Sequence, residues 1–431
     1  MEVTIVPVRT AGQRRLFVRL PWRLHRHHLL WVPPLLRDEK RLVDPSRNHA
    51  FTYCDAVLSL AFSSGVPVGR VMGIVNRRFN QRRGERTARF GSLECPDDLA
   101  AARALLGFVE DWARSLGMDR LVGPMGFTDQ DPEGLLVEGF EHAPTVATCY
   151  NFEYQPHLLE ALGYAKEVDY VVYRVPVPAD ASPLYARALA RVVARGDLRL
   201  LEFTGRRALA SWVRPLLELM ADTFVDAYGF VAPDTQEIAA LANQWLPMLD
   251  PRFVKAVADG DRLVGFIVAM PHLAEGLRAA NGRLLPIGFL HLLRAARRTR
   301  QLDLLLGGVR AAYRGRGVDA MLGDAMMRSA REAGYEWMDS HHELETNQRV
   351  RREMERAGGR VYKRYRIYAK PLAARAATVE VVGEAEAAVR LDQGDRVRQR
   401  PEQLEGLGVA GLDRLAGVAH ATRGRGRVGG T

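Results

Sequence analysis

A segment with two glycines separated by one residue constrains the fold of this chain more than any other feature. It lies between an apolar run at residues 302–309, which predicts a strand, and residues 318–333, whose apolar spacing predicts a helix. Gly315 and Gly317 allow a tight turn, so that N–H groups of the turn and of the first helical turn point at one spot. This arrangement predicts an anion site suited to a pyrophosphate. The residues of the predicted site are Val309, Arg314, Gly315, Arg316, Gly317 and Val318.

The order of predicted elements occurs twice along the chain. Each half contains a strand, a helical region, a hairpin, and then a strand, helix, strand, helix and strand. We therefore expect an α/β chain with a mixed sheet, built as two tandem copies of one fold, at residues 1–186 and 198–370. Prolines in residues 16–42 argue against a long helix there. Residues 371–431 are rich in Ala, Gly, Arg, Glu and Val, which predicts a disordered tail.

Charge and cysteine content narrow the classes of partner and compartment. The chain has 431 residues and a formal net charge of +10, which fits an anionic partner such as a phosphate-bearing ligand, a lipid surface or nucleic acid. An arginine-rich composition without functional meaning is an equal alternative. Cys54, Cys95 and Cys149 form no C-x-x-C pair, which disfavours a disulfide framework or a structural zinc site. No signal peptide or membrane-spanning run is found, so a cytoplasmic location is expected.

Residues 302–370 resemble the core of the GNAT acyltransferase superfamily, whose CoA-binding signature is Arg/Gln-x-x-Gly-x-Gly/Ala. The preferred alignment places Gly315 and Gly317 at the two later positions and Ala312 at the first. The other alignment begins at Arg314 and places Asp319 where Gly or Ala is expected. The resemblance implies acetyl-CoA or a longer acyl-CoA as co-substrate, and it gives a cofactor-binding role to Asn347, which occupies the family's Asn position.

The wider chain, residues 1–370, resembles a poorly characterised bacterial group of that superfamily with two tandem GNAT-like halves. Its motifs include Leu20-Pro21-Trp22, Gly123-Pro124-Met125 and Tyr362-Lys363-Arg364-Tyr365. This resemblance implies a fold and an acyl-CoA donor, but no acceptor. The first half lacks a glycine-rich loop and has Asp97 and Asp98 where a pyrophosphate would lie, so we interpret it as a degenerate copy that supports the fold or binds the acceptor.

The sequence offers several candidates for the acid and base of the predicted reaction. The family's usual general-acid Tyr corresponds to Met354, so Tyr362 or Tyr365 would have to replace it. An amine acceptor must lose a proton before attack, and a carboxylate or His could accept it. Glu345 is the preferred catalytic candidate because it lies close to Asn347. The candidates are Asp303, His341, His342, Glu343 and Glu345. A metal site at the His pair is disfavoured because neighbouring strand residues point to opposite faces, and no metal is predicted.

Two further segments have alternative interpretations. Asp129, Asp131 and Glu133 could bind a cationic acceptor, although a solvated acidic loop is favoured. Residues 284–298 are apolar and then basic, and could contact a membrane or a long acyl chain, although a buried core helix is favoured.

Together with the anion site, the resemblance implies an N-acyltransferase that moves an acyl group from acyl-CoA to a small-molecule or lipid amine. A CoA- or lipid-sensing module without turnover and a nucleic-acid-binding protein are the alternatives, the latter disfavoured. The sequence leaves peripheral membrane contact open and indicates no oligomeric state.

Overall fold

The computed structural model describes residues 2–146, 148–180, 196–246 and 248–373, which contain fourteen strands and eleven α-helices. The strands are β1 (Thr4–Pro7), β2 (Cys54–Ser63), β3 (Val66–Asn76), β4 (Thr87–Glu94), β5 (Arg120–Gly123), β6 (Leu135–Glu138), β7 (Ala165–Pro176), β8 (Leu198–Glu202), β9 (Val254–Asp259), β10 (Arg262–Pro271), β11 (Gln301–Val309), β12 (Trp337–Asp339), β13 (Glu343–Leu344) and β14 (Arg360–Pro371). The helices are α1 (Ala11–Leu24), α2 (Leu36–Leu42), α3 (Arg77–Arg83), α4 (Leu99–Ser115), α5 (Gln155–Ala161), α6 (Arg206–Thr223), α7 (Thr235–Trp245), α8 (Ala274–Ala280), α9 (Gly288–Arg298), α10 (Val318–Glu332) and α11 (Gln348–Arg356).

The strands form one mixed sheet. The order of the strands in the second half mirrors their order in the first half. The main path of the sheet is β1-β2-β3-β4-β5-β14-β7-β12-β11-β10-β9-β8. The last strand of the second half, β14, lies beside β5, and the last strand of the first half, β7, lies beside β12. These two long strands pair with each other, antiparallel, from Arg360 opposite Arg174 to Ala369 opposite Ala165. Each half therefore contributes its last strand to the other half, and the predicted α/β class with tandem halves is confirmed.

The predicted boundaries between the halves stay a prediction. The segment that would join residues 1–186 to residues 198–370 lies mostly at 181–195, outside the described residues. The predicted tail at 371–431 lies outside them as well, apart from its first three residues. The described residues up to Leu372 belong to one compact unit.

A helix packs closely on the sheet at an equivalent place in each half, and a glycine allows the approach. In the first half a Cβ atom at Gly73 of β3 would lie 2.9 Å from Cγ1 of Val109 on α4. In the second half a Cβ atom at Gly265 of β10 would lie 2.5 Å from Cγ1 of Val318 on α10. Real Cβ atoms do not approach so closely, so both positions exclude a side chain. The close packing places the start of α10 directly over the sheet.

The second half contains a fork between β11 and β12. These parallel strands pair only over Gln301–Asp303 and Trp337–Asp339, whereas β11 continues along β10 to Val309. A β-bulge accompanies the separation, because Val268 pairs with Leu306 while Ala269 pairs with Leu304. Beyond Asp303 the edge of β11 is therefore open to a ligand.

Two local predictions need correction. Helix α1 begins at a capping box of Thr10 and Gln13 and runs through Pro21, which does not break it, although the helix ends at Leu24 and no long helix spans residues 16–42. Residues 288–298 form a helix as predicted, but it is not a core helix, since only Gly288 and Ala295 are buried and Leu290 is exposed. Of the helices in the described ranges, none has both the length and the apolarity needed to cross a bilayer.

The strand exchange predicts where the fold is most sensitive to substitution. Ile367 on β14 is fully buried between strands of the two halves, so Ile367→Ala should lower the free energy of unfolding by about 2–5 kcal/mol. Val361 on the same strand is exposed, and Val361→Ala should change it by less than about 0.5 kcal/mol. Urea unfolding of both variants measures the difference, and equal effects would contradict a central role for β14.

Candidate active site

The glycine turn between β11 and α10 has the geometry that the sequence predicts. Gly315 and Gly317 have φ of +77° and +88°, which are left-handed values that side chains rarely adopt. A Cβ atom at Gly315 would meet no atom within 4 Å, so the space beside the turn is open. Among the described residues, no acceptor receives the backbone N–H groups of Gly315, Gly317 or Val318. These amides at a helix start fit an anion such as a diphosphate.

The two arginines of the turn have different surroundings. Arg314 lines a large cavity within the described residues, and its Nε donates to the carbonyl of Val309 at 3.2 Å. Arg316 forms an ion pair with Asp197 at 2.5 Å and lies over the ring of Tyr313 at 4.9 Å. The charge of Arg316 is thus already paired, while that of Arg314 faces the cavity. Their predicted role in cofactor binding stays a prediction.

A cavity of about 1120 Å³ runs from the fork of the second half into the first half. Typical ligand sites have roughly 300–1,000 Å³, so this cavity can hold a large ligand or two. Lining residues of the second half include Leu304, Leu306, Val309, Leu322, Met326 and Met354, and those of the first half include Trp31, Pro34, Met72, Leu93, Met125 and Leu135. The walls on both sides are largely apolar.

Two adjacent histidines follow β12 and lie on the cavity wall. The rings of His341 and His342 stack at 4.9 Å and are nearly parallel. The expectation that they point to opposite faces is wrong, because His341 has φ of +60° and interrupts the strand between β12 and β13. His341 Nδ1 and His342 Nε2 are buried and have no hydrogen-bond partner among the described residues. Unpaired buried nitrogens are costly and are common at functional sites.

Burial determines the charge state of these histidines. It lowers the pKa of His341 to about 4 and the pKa of His342 well below 6.5. Both imidazoles are therefore neutral near pH 7. His342 also stacks on Tyr170 at 5.0 Å and contacts Tyr365 at 4.4 Å.

In the acidic loop of the first half, Glu133 is buried and Asp129 and Asp131 are half-buried, so the interpretation of these acids as solvated is wrong for Glu133. Asp131 accepts from the N–H groups of Phe127 and Thr128 at 2.8 and 3.2 Å. Glu133 is 7% exposed and lines the cavity, and its Oε2 has no hydrogen-bond partner among the described residues. Burial raises the pKa of Glu133 to about 8. Glu133 lies beside Tyr170. Burial and the neighbouring Glu133 together raise the pKa of Tyr170.

Other carboxyl candidates differ in their exposure to the cavity. Glu343 lines it, and burial raises the pKa of Glu343 to about 8. Asp303 lies at the base of the fork and contacts His272 at 2.9 Å. Glu345 is absent from the cavity wall within the described ranges, and its carboxylate pairs with Lys166 at 2.5 Å. Its predicted catalytic role stays a prediction, but its charge is already neutralised.

The two predicted tyrosines lie behind the cavity wall. The hydroxyl of Tyr362 donates to the carboxylate of Asp339. The hydroxyl of Tyr365 is buried near Thr148 without a hydrogen bond of standard geometry, and burial raises its pKa. Neither tyrosine lines the cavity in the described part of the chain.

Asn347 and Met354 complete the wall of the fork. The side chain of Asn347 accepts from the N–H of Val350 at 3.4 Å and caps α11, and Asn347 lines the cavity. Met354 packs with the apolar cluster under α10 and also lines the cavity. The position where the resemblance would place an acid is therefore apolar.

The group nearest to a metal-binding arrangement in the described residues is His49, Asp234 and Glu237. Arg78 lies within this group, 3.3 Å from Asp234 and 3.0 Å from Glu237. A guanidinium already neutralises these carboxylates, so the group does not fit a cation.

Sequence reasoning did not find Tyr170 and did not connect it with Glu133 and His342. Tyr170 lies on β7, Glu133 on the loop before β6 and His342 on the segment after β12. Strand pairing in the sheet brings these three residues together. No local spacing could indicate this meeting, although the acidic loop and the His pair were each visible by themselves.

The chain was compared with known proteins. No family model matches it. It is 28% identical over 379 residues to "Bacterial ceramide synthase" of Caulobacter vibrioides, which covers 86% of this chain and 98% of the relative. It is 26% identical over 366 residues to "Protein YghO" of Escherichia coli, covering 83% and 92%. A solved tandem GNAT protein from the clavulanic acid biosynthesis pathway superposes with a TM-score of 0.51 at 13% identity, covering 86% of this chain and 99% of that one.

The buried carboxyl of Glu133 predicts a pH-dependent stability. Its folded pKa of about 8 exceeds the ordinary 4.5, so its contribution to stability is complete below pH 4.5 and is lost as the pH rises towards 8. Glu133→Gln removes this loss. Relative to the wild type, the unfolding free energy of the variant should therefore increase by more than about 1 kcal/mol between pH 5 and 8.

Chemical denaturation at a series of pH values measures this difference. Glu141→Gln is the control, since the side chain of Glu141 is exposed, and it should change stability by less than about 0.5 kcal/mol. If the difference in unfolding free energy between Glu133→Gln and the wild type does not change with pH, the raised pKa of Glu133 is contradicted.

Proposed function

Because this chain has the tandem GNAT fold, we propose that it is an acyl-CoA-dependent N-acyltransferase whose acceptor is a long-chain lipid amine. The observation that carries the proposal is the apolar cavity that continues from the open edge of β11 into the first half. A donor at the fork and an apolar acceptor in the first half would share this cavity.

The donor side would use the turn and the fork. The amides of Gly315, Gly317 and Val318 would bind the diphosphate, and Arg314 would add charge at the cavity mouth. The unpaired edge of β11 offers backbone groups to the amides of a pantetheine arm. Leu304 and Met326 would then surround the acyl chain near the fork.

The acceptor side would use the first half. A ceramide is an N-acylated long-chain amino alcohol, and the Caulobacter relative is named for its synthesis. An acceptor of this class needs an apolar channel with a polar group for its ammonium. Met72, Leu93 and Met125 supply apolar wall, and the buried carboxyl of Glu133 lies in the same cavity. We therefore place the acceptor ammonium beside Glu133.

The acceptor must attack as a neutral amine, so its ammonium first releases one proton to solvent. As the amine attacks the thioester carbonyl, the unpaired Nε2 of His342 would accept a second proton from the nitrogen, while the C–N bond forms and the C–S bond breaks. The products are an amide and a thiol, with one proton released to solvent. Protonated His342 would supply the thiolate proton, so that Met354 need not act as an acid.

The apolar Met354 favours one competing function, a sensor that binds acyl-CoA without turnover. The two functions differ in thiol release. Long-chain acyl-CoA with a sphingoid base should yield free thiol and an N-acyl product, detected by a thiol reagent and mass spectrometry. Binding without thiol release for a panel of amines would favour the sensor.

The glycine turn gives a direct test of the donor site. Gly315→Glu places a carboxylate where the diphosphate would bind and should weaken acyl-CoA binding, measured by calorimetry, by at least about 100-fold. Gly334→Glu is the matched control. Gly334 lies at the other end of α10 with φ of +80°, and a Cβ atom there would likewise meet no atom within 4 Å, so this variant should bind normally. Equal losses in both variants would refute the donor site.

The proton acceptor can be tested with a second pair of variants. His342→Gln should lower turnover by about 100-fold or more while acyl-CoA binding is retained. Glu345→Gln should keep most of the turnover, because Glu345 pairs with Lys166 outside the cavity wall. The opposite pattern would assign the base to Glu345, as the sequence predicted.

A further inference from the structure

The four most exposed large hydrophobic side chains of the described residues occur in two segments that pack together. They are Leu29 (84%), Leu285 (73%), Ile287 (62%) and Leu290 (52%). Leu285 and Ile287 lie in the loop between α8 and α9, and Leu290 lies in the first turn of α9. Single exposed apolar residues are ordinary, but a group of this kind indicates an interaction surface.

Direct contacts join the two segments. The guanidinium of Arg278 on α8 donates through Nη1 to the carbonyl of Leu29 at 2.6 Å. The indole of Trp22 donates to the carbonyl of Asn281 at 3.3 Å, and the N–H of Leu36 donates to the carbonyl of Gly282 at 2.9 Å. The loop and helix therefore pack against residues 22–36, which places Leu29 beside the α8–α9 hairpin.

The two segments that carry these apolar side chains are basic. Residues 276–302 contain six Arg and no Asp or Glu, and residues 3–37 contain seven Arg and no Asp or Glu. On α9 the exposed Arg294 and Arg298 follow the exposed Leu290 at intervals of four residues, so all three lie on one face. That face is apolar at its first turn and basic along the rest.

The same corner borders the cavity. Trp31, Pro34 and Leu35 of the first segment line the cavity, as does Leu277 of α8. The exposed apolar side chains thus lie beside the wall of the cavity proposed to hold lipid. An apolar tip with arginines behind it matches a helix that lies in the headgroup region of an anionic bilayer.

We propose that the surface formed by Leu29, Leu285, Ile287, Leu290, Arg294 and Arg298 docks on an anionic lipid bilayer. The leucines and the isoleucine insert at the headgroup boundary, and the arginines pair with anionic headgroups. The docking itself is independent of catalysis. Its use in passing a lipid amine from the bilayer to the cavity depends on the proposed function.

Vesicle co-sedimentation of the full chain without acyl-CoA tests the docking. Vesicles of phosphatidylcholine with phosphatidylglycerol should bind the protein, and vesicles of phosphatidylcholine alone should bind it at least about tenfold more weakly. The double variant Leu285→Asp/Ile287→Asp should lose at least about tenfold in binding to the anionic vesicles. Both side chains are exposed, so the fold should persist, as an unchanged urea transition would show.

Two further variants make the test specific. Arg294→Glu/Arg298→Glu should abolish the preference for anionic vesicles. Val66→Asp, at an exposed apolar position in the β2–β3 hairpin, should bind vesicles like the wild type.

The proposal is overturned if the wild type does not bind anionic vesicles at low salt, or if the Leu285→Asp/Ile287→Asp variant binds them normally. A wild-type dimer that this variant converts to a monomer, without vesicle binding by either, would identify the surface as a protein interface instead. Vesicle binding needs no acyl transfer, so its failure is distinguishable from failure of the proposed enzyme activity.

Discussion

The antiparallel pairing of β7 with β14 is the interaction on which the rest of the structure depends. Each strand closes the sheet of the other half, so neither half has a complete sheet by itself. The pairing buries Tyr365, Ile367 and Tyr368 in the middle of the sheet. It also fixes the first half against the fork of the second, which makes one cavity from residues that lie more than 200 positions apart in the chain.

Burial at this junction gives the candidate site its chemistry. The same apolar surroundings lower the pKa of His341 and raise those of Glu133 and Glu343, so each group is held in its neutral form near pH 7. Neutral groups with unpaired polar atoms destabilise a protein unless a ligand satisfies them. This free-energy cost fits the site that we propose, where a cationic amine would lose a proton in an apolar cavity.

The two halves differ at the start of their equivalent helices. Both have a helix packed on a glycine of the sheet and a parallel strand pair beside it. In the second half the turn before the helix has two left-handed glycines and free amides, whereas in the first half Asp98 caps the helix and accepts from Ala100 and Ala101. A carboxylate that occupies the helix start excludes a phosphate there, so the first half is left with the supporting and acceptor-binding roles that we propose.

The sequence by itself determined many of the elements and the glycine turn, because both depend on local rules. Apolar periodicity predicts strands such as β11 and helices such as α10, and Gly315 and Gly317 allow a backbone that other residues resist. The local rules failed where packing outweighed them, as at Pro21 inside α1 and at the stacked rings of His341 and His342. Only the tertiary structure decided that β7 and β14 exchange places, that Glu133 is buried, and that Glu345 pairs with Lys166. The physical reason is that strand pairing and burial join residues distant in the chain, and no spacing along a sequence encodes which distant residues will meet.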